Sequence, residues 1–207
     1  MALFIVWDLV VRAGLIKVIL LPTPWATLGA LVTGLAGGPL LLDFGVTVQR
    51  TLEAFLIAAV VGVPLGVLLG RNEKAYRSVE FLIDFFRSTP SSALIPLFLL
   101  IFGVSDIHKV AIAAFGALLI VLIWESLQPT FVGLRSAVSM ALVIVIVIVA
   151  EMFIGSDNGL GHRIIDAQQV LNVKSMYAAI LAAGALGYGL NLLFLIAERR
   201  IVHWSGR

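Results

Sequence analysis

The stretch that decides the fold is Ser136–Ala150, SAVSMALVIVIVIVA, which carries no charged residue and ends in an unbroken aliphatic run. Alternating Val and Ile are common in β-strands, but polar residues do not alternate with them here. A lone strand in lipid would leave its backbone N–H and C=O groups unpaired, whereas a helix pairs them internally. The stretch therefore predicts a membrane-spanning α-helix.

Four further stretches on either side are also uncharged and rich in apolar residues. A helix needs about 20 apolar residues to cross a bilayer. We therefore expect additional spans over Ala54–Gly70, Ser88–Ser105, Val110–Trp124 and Ser175–Ala197.

The N-terminal region has a different pattern. Met1–Leu21 is apolar but contains three charged residues, which is typical of a truncated or partial first helix. Trp25–Leu42 contains a Gly-Gly-Pro turn, which favours an amphipathic or interfacial helix over a span. The chain is thus expected to be one all-α, polytopic membrane domain, 1–207, with about five or six transmembrane helices. Residues 1–50 would hold the short first helix and the interfacial segment, and 51–200 the core helices.

The composition supports this class and excludes others. The 207 residues are 61% hydrophobic and 13% charged, with a mean hydropathy of +1.10, whereas soluble domains are about 45–50% apolar. A soluble enzyme is therefore excluded, and a net charge of +2 gives no reason to expect nucleic-acid binding. The chain has no cysteine, and its three histidines lack metal-ligand spacing, so we expect no metal and no catalytic site.

The distribution of Lys and Arg predicts the orientation. Cytoplasmic loops of membrane proteins carry an excess of these residues. The segment Arg71–Arg87 holds four of them and the C-terminal tail three. Both are therefore expected in the cytoplasm, which places Glu125–Arg135 there and Gly155–Lys174 outside.

Four residues are candidates for a solute path. Glu151 directly follows the longest apolar run, so it either lies at the external mouth of a path or ends its helix in water. Arg135 begins the same helix, where it could face an anion or reflect the cytoplasmic excess of cations. Ser91 and Ser92 could bind an oxyanion, but we favour capping of the following helix.

A second set of residues is suited to contact a partner. Arg71, Lys74 and Arg77 are three residues apart, with acidic residues between them, and predict a helical face of mixed charge. Such a face would contact a cytosolic partner or anionic lipid, or would simply be solvated.

Several short motifs occur in a specific order and spacing. They are TLEAF at 51–55, GVPLG at 62–66, LGR at 69–71, FRSTPSSALIPL at 86–97, FG at 102–103, GLR at 133–135, VAEM at 149–152, GLGH at 159–162, IDA at 165–167 and ERR at 198–200. Together they resemble the transmembrane permease subunit of ABC importers, in the nitrate/sulfonate/taurine/bicarbonate branch of the binding-protein-dependent transport family. The resemblance covers about residues 21–200.

The resemblance implies a bacterial inner-membrane, multi-pass subunit with a cytoplasmic C-terminus. It would form a homodimer or pair with another permease, and it would receive a small anionic solute from an extracytoplasmic solute-binding protein. Two cytosolic ATPase subunits would drive alternating access, so ATP would bind to those partners and this chain would hold no cofactor. Membrane lipid would surround it.

The chain departs from the family pattern at one place. Family members carry a cytoplasmic loop with a Glu-Ala-Ala segment, which docks into the ATPase between the spans at Val110–Trp124 and Ser136–Ala150. Here only the eleven residues Glu125–Arg135 connect them, and Pro129 interrupts any helix there. Within this short link, Glu125 is a further candidate for contact with the partner. Either the protein has further residues between Ile123 and Trp124, or it is a non-transporting membrane scaffold or remnant.

The predicted orientation can be tested directly, because the chain has no native cysteine. In intact cells, an impermeant thiol reagent should label Asp157→Cys and leave Arg77→Cys unlabelled, since only residue 157 would face outward. Labelling at position 77 but not at 157 would overturn the orientation.

Overall fold

The computed structural model describes residues 2–127, 137–153 and 157–201, and the statements below refer to these residues. They form helices and turns, with no strand among them. The helices are α1 (Ala2–Arg12), α2 (Pro24–Leu35), α3 (Pro39–Arg71), α4 (Glu73–Ser88), α5 (Ile95–Phe102), α6 (Asp106–Leu127), α7 (Ala137–Met152), α8 (Leu160–Gln169) and α9 (Val173–Ile201), with a 3₁₀ turn at Ser91–Leu94. The predicted all-helical class is confirmed.

Two of the described helices, α3 and α9, are long and apolar enough to cross a membrane. A third crossing would consist of α4 and the segment Ser91–Phe102, which meet at a bend of 92°. The predicted span Val110–Trp124 lies within α6. Residues 137–150 of the other predicted span lie within α7, and Ser136 lies outside the described residues.

The start of the first long span differs from the prediction. Within Trp25–Leu42, the predicted helix does end before the Gly-Gly-Pro turn, because α2 ends at Leu35. The last four residues, from Pro39 to Leu42, instead begin the long helix α3, so the prediction that they lie outside a span is wrong. Gly37 has a φ of 131°, a conformation that residues with a side chain rarely adopt. It therefore interrupts the helical conformation between α2 and α3. The proposed division at residue 50 falls inside α3.

The length of α3 follows from a single buried stripe. Its buried residues recur every three or four positions, as expected for one face of a helix. After Leu40, the buried residues are polar as far as Thr51 and small beyond it. They are Leu40, Asp43, Thr47, Arg50, Thr51, Ala54, Ala58, Gly62 and Gly66. The charged residues Asp43 and Arg50 lie on the buried stripe. The helix therefore begins before them, and not at Ala54, where the predicted span starts.

The small half of the stripe packs on α6 and α7. The most extensive helix pair is α3 with α6, and its core contains alanines such as Ala54, Ala58, Ala113 and Ala117. Small residues let helix backbones approach closely in membranes. A second apolar cluster joins α3 to α8 and α9 through Leu40, Leu160 and Ala182.

The predicted span Ser88–Ser105 is broken. Pro90 follows the end of α4 and precedes the 3₁₀ turn, so the chain changes direction there. Pro90 is also the N-cap of this turn, with no side-chain hydrogen bond. The expected capping by Ser91 or Ser92 is therefore wrong, because both serines lie inside the turn.

Close packing of α3 on α6 predicts a position-specific effect of glycine substitution. A Cβ at Gly62 would lie 2.9 Å from Val121 Cγ1, whereas a Cβ at Gly45 in the same helix meets no atom within 4 Å. Gly62→Val should lower the free energy of unfolding by about 1–3 kcal/mol through overpacking, and Gly45→Val by clearly less. Thermal unfolding in detergent measures both, and equal losses would contradict the packing.

Candidate functional site

A group of buried polar side chains lies at one end of the helix bundle. Asp43, Thr47 and Arg50 occupy one face of α3 and are at most 4% exposed. They meet the first turn of α6, the last turn of α7 and the start of α8. We call this group the polar cluster, and its members are Asp43, Thr47, Arg50, Asp106, Lys109, Glu151, Arg163 and the backbone of residues 158–161.

Arg50 is the central member because it binds three other segments. Its Nη1 lies 2.7 Å from Glu151 Oε1 and 2.8 Å from the carbonyl oxygen of Asn158. Its Nη2 lies 2.5 Å from Asp106 Oδ1. One guanidinium therefore ties α3 to α6, α7 and the segment before α8.

Glu151 is fully buried and accepts hydrogen bonds from several donors besides Arg50. The Thr47 hydroxyl donates at 3.0 Å, and the backbone N–H of Gly161 donates to Oε2 at 3.0 Å. A buried carboxylate is stable only when it is paired and hydrogen-bonded. These contacts satisfy that requirement without water.

The first backbone amides of α8 are bound by side chains from α3 and α7. The Gly159 N–H donates to Asp43 Oδ1 at 2.9 Å, and the Leu160 N–H donates to the Thr47 hydroxyl at 2.9 Å. Arg163 in turn pairs with Asp43. Because free N–H groups at a helix start favour negative charge, Asp43 and Glu151 are well placed to hold α8.

Two glycines make this approach possible. Gly159 has a φ of 128°, and a Cβ there would collide with the Glu151 carboxylate. A Cβ at Gly161 would collide with the Ile148 carbonyl oxygen. The GLG motif is thus required by the fit of α8 against α7.

The charges of the polar cluster balance. Its cations are Arg50, Lys109 and Arg163, and its anions are Asp43, Asp106 and Glu151; Lys109 Nζ lies 3.0 Å from Asp106 Oδ1. With its cations paired in this way, the arrangement is suited to holding helices together rather than to binding a charged solute. Among the described residues, no group of three His, Asp or Glu side chains could hold a metal ion.

Beside the polar cluster, an apolar groove with a volume of about 540 Å³ opens between α3, α5 and α6. Three phenylalanines, Phe98, Phe102 and Phe115, contribute to its lining. Its two charged lining residues, Glu53 and Asp106, are both acidic. The groove is therefore unfavourable for an anion.

The structure describes three of the four candidate path residues. Glu151 is 0% exposed in the single chain, so the expected access to water or a polar cavity is not found. Ser91 packs close to Gly116 of α6, and Ser92 is exposed. Arg135 lies outside the described residues. The assignment of these four to a solute path stays a prediction.

The candidate partner residues lie near the junction of α3 and α4. Arg71 ends α3, and Lys74 and Arg77 lie in the first turns of α4; all three are exposed. Arg77 pairs with Glu73 at 2.6 Å, with both side chains more than 70% exposed. Lys74 and Arg77 form the expected mixed-charge face with Glu73, but the prediction is wrong for Arg71, because the extended Asn72 separates α3 from α4. Glu125 lies in α6, but its side chain is outside the described part of the chain.

Sequence reasoning missed the most connected residues. Asp43 and Arg50 lie between the predicted interfacial helix Trp25–Leu42 and the predicted span Ala54–Gly70, so neither was among the candidate site residues. The available signal was the spacing of Asp43, Thr47 and Arg50, which puts three polar residues on one helical face.

A bundle of apolar helices, two of them long enough to cross a membrane, with a balanced polar cluster at one end defines a helical membrane protein. Residues 62–141 match the family described as the binding-protein-dependent transport system inner membrane component.

Similarity to named permeases extends over nearly the whole chain. A protein named as an ABC transporter permease in Brucella abortus (strain 2308) is 26% identical over 97% of this chain and 91% of its own length. A protein named as an aliphatic sulfonates transport permease in Bacillus subtilis is 23% identical, covering 96% and 83%. The taurine transport system permease of Escherichia coli K12 is 22% identical, covering 99% and 87%. The chain is thus similar, over nearly its whole length, to ABC importer permeases of the nitrate, sulfonate and taurine branch.

The burial of the Arg50–Glu151 pair predicts a large difference between two similar substitutions. Glu151→Leu removes one of the two carboxylates paired with buried Arg50 and leaves the Thr47 hydroxyl and the Gly161 N–H without this acceptor. Breaking a buried pair in this way costs roughly 3–5 kcal/mol. Glu73→Leu removes the same carboxylate from an exposed pair, and such pairs contribute little. We expect a much lower unfolding temperature and folded yield for Glu151→Leu only. Similar losses for both would contradict the assigned role of the cluster.

Proposed function

We propose that the chain is the transmembrane permease subunit of an ATP-driven importer for a small anionic solute of the nitrate, sulfonate, taurine or bicarbonate type. The observation that carries this proposal is the nearly full-length similarity to permeases named for aliphatic sulfonates and taurine. A nitrate import permease of Synechococcus elongatus is also 26% identical over 80% of the chain.

The proposed complex contains a second permease, two cytosolic ATPase subunits and an extracytoplasmic solute-binding protein. The chain itself performs no covalent chemistry, and ATP is hydrolysed on its partners. Solute would move by alternating access along a path between the two permeases. The polar cluster would hold the external ends of α3, α6, α7 and α8 together while the path opens and closes.

Solute uptake tests the proposal in the bacterium that encodes the chain. Deletion of the gene should abolish uptake of labelled taurine, an alkanesulfonate, nitrate or bicarbonate, and the intact gene should restore it. The Glu151→Leu variant should fail to restore uptake, and the matched Glu73→Leu variant should restore it. Unchanged uptake of all four solutes in the deletion strain would contradict the anion proposal.

A second candidate is a non-transporting scaffold, and the comparisons supply a reason to retain it. The alignment with the Brucella relative is 231 residues long and this chain has only 207, so at least 24 aligned positions have no counterpart here. This surplus agrees in size with a missing segment of several helical turns, such as the Glu-Ala-Ala loop.

The scaffold and the importer differ in coupling to an ATPase. As the sequence stands, the short link Glu125–Arg135 should leave the chain unable to stimulate a partner ATPase when solute and binding protein are added. Intact-protein mass spectrometry must accompany the assay, because a mass several kDa above 22.2 kDa would reveal further residues. Stimulation by a protein of 22.2 kDa would contradict the coupling argument and support the importer.

A further inference from the structure

Helix α4 combines many charges with exposed aromatic residues. Its sequence, EKAYRSVEFLIDFFRS, has six charged residues in sixteen. Only Ile83 is buried, while Phe81 is 77%, Phe85 56% and Leu82 52% exposed. So many charges make burial in hydrocarbon very costly, and three large apolar side chains are unfavourable in water. The boundary between the two is the environment that suits both.

The side chains of α4 separate around the helix. Ile83 and Phe86 face the bundle, and Phe86 packs edge-to-face on Phe115 of α6 with ring centroids 5.3 Å apart. Phe81 and Phe85 are four residues apart, so they lie together on the outer side, with Lys74 two turns before Phe81 on the same side. Glu80 and Asp84 occupy the flank between these two sides.

The bend after α4 fixes its direction. The segment Ser91–Phe102 leaves α4 at 92°. Phe115 contacts Phe98 of this segment at 5.7 Å as well as Phe86 of α4, so one ring holds both arms of the bend. If Ser91–Phe102 runs along the membrane normal, α4 lies parallel to the membrane plane.

We propose that α4 is an in-plane membrane-surface helix. It inserts Phe81, Leu82 and Phe85 between phospholipids, and it binds anionic headgroups through Arg71 and Lys74. Amphipathic helices of this kind are buried by about 5–10 Å at the boundary between headgroups and acyl chains. Cations near the surface are attracted to anionic lipid. Arg71 ends α3 and Lys74 lies in the first turn of α4, so both precede the exposed apolar side chains along the chain. This assignment does not depend on what the chain transports.

Spin labelling of the full chain tests the proposal, since the protein has no native cysteine. Single variants Phe81→Cys and Phe85→Cys carry the nitroxide on the outer side, and Glu80→Cys and Asp84→Cys are the controls on the flank. The protein is reconstituted at low density in phosphatidylcholine vesicles with and without phosphatidylglycerol. Collision rates with oxygen, which concentrates in lipid, and with a water-soluble nickel chelate report the environment of each label.

We expect the oxygen-to-nickel ratio at 81 and 85 to be several-fold higher than at 80 and 84. Changing both cations, Arg71→Gln with Lys74→Gln, should lower this ratio in vesicles with phosphatidylglycerol and leave it unchanged in phosphatidylcholine alone. Nickel accessibility at 81 equal to that at 84 would overturn the proposal, because α4 would then face water. Protection of 81 and 85 from both reagents would overturn it too, because protein would cover them. An unchanged ratio in the double variant would overturn the headgroup assignment.

Discussion

The ion pair between Arg50 and Glu151 is the constraint on which one end of the bundle depends. Both side chains are almost completely buried, and each would be strongly unfavourable there without the other. Their partners belong to segments that are far apart in the chain: Asp106 begins α6, and the Gly161 amide opens α8. Four segments are therefore joined through one pair. The low dielectric of a membrane protein interior strengthens such contacts, and it makes a partial loss correspondingly costly.

The rest of the architecture is organised around this end. Below the pair, the buried stripe of α3 changes from polar residues to alanine and glycine, and α6 packs closely against it. Away from the pair, α4 is attached mainly through Phe86 and Ile83 and leaves the bundle at a sharp bend. A permease that alternates between two states needs some elements that stay together and others that move. In the proposed alternating-access cycle, the paired end would be one of the elements that stay together.

Much of the fold could be predicted from the sequence, because lipid makes apolar length informative. The helical class, the cores of α3, α6, α7 and α9, and the exposed charged face after Arg71 all followed from hydropathy and charge. The start of α3 did not, because Asp43 and Arg50 look like loop residues until their partners are known. Glu151 was singled out correctly as unusual, but its partners are more than 100 residues away in α3. A single sequence contains no information on that pairing. The bend at Pro90 lies just after the start of the predicted span Ser88–Ser105, and the uncharged run that follows it gives no sign of a change in direction.

A double-mutant cycle at Arg50 and Glu151 tests the central claim most directly. The free energy of unfolding is measured for Arg50→Gln, for Glu151→Gln, and for both together. If the pair holds this end of the bundle, Arg50→Gln leaves Glu151 without its cation, and Glu151→Gln leaves Arg50 with Asp106 as its carboxylate partner. The double variant should therefore be no less stable than the worse single one. Losses at independent sites add to within about 0.3–0.5 kcal/mol. The coupling free energy between Arg50 and Glu151 should be clearly larger than this. Additive losses, with the double variant as unstable as the sum of the two singles, would contradict the account.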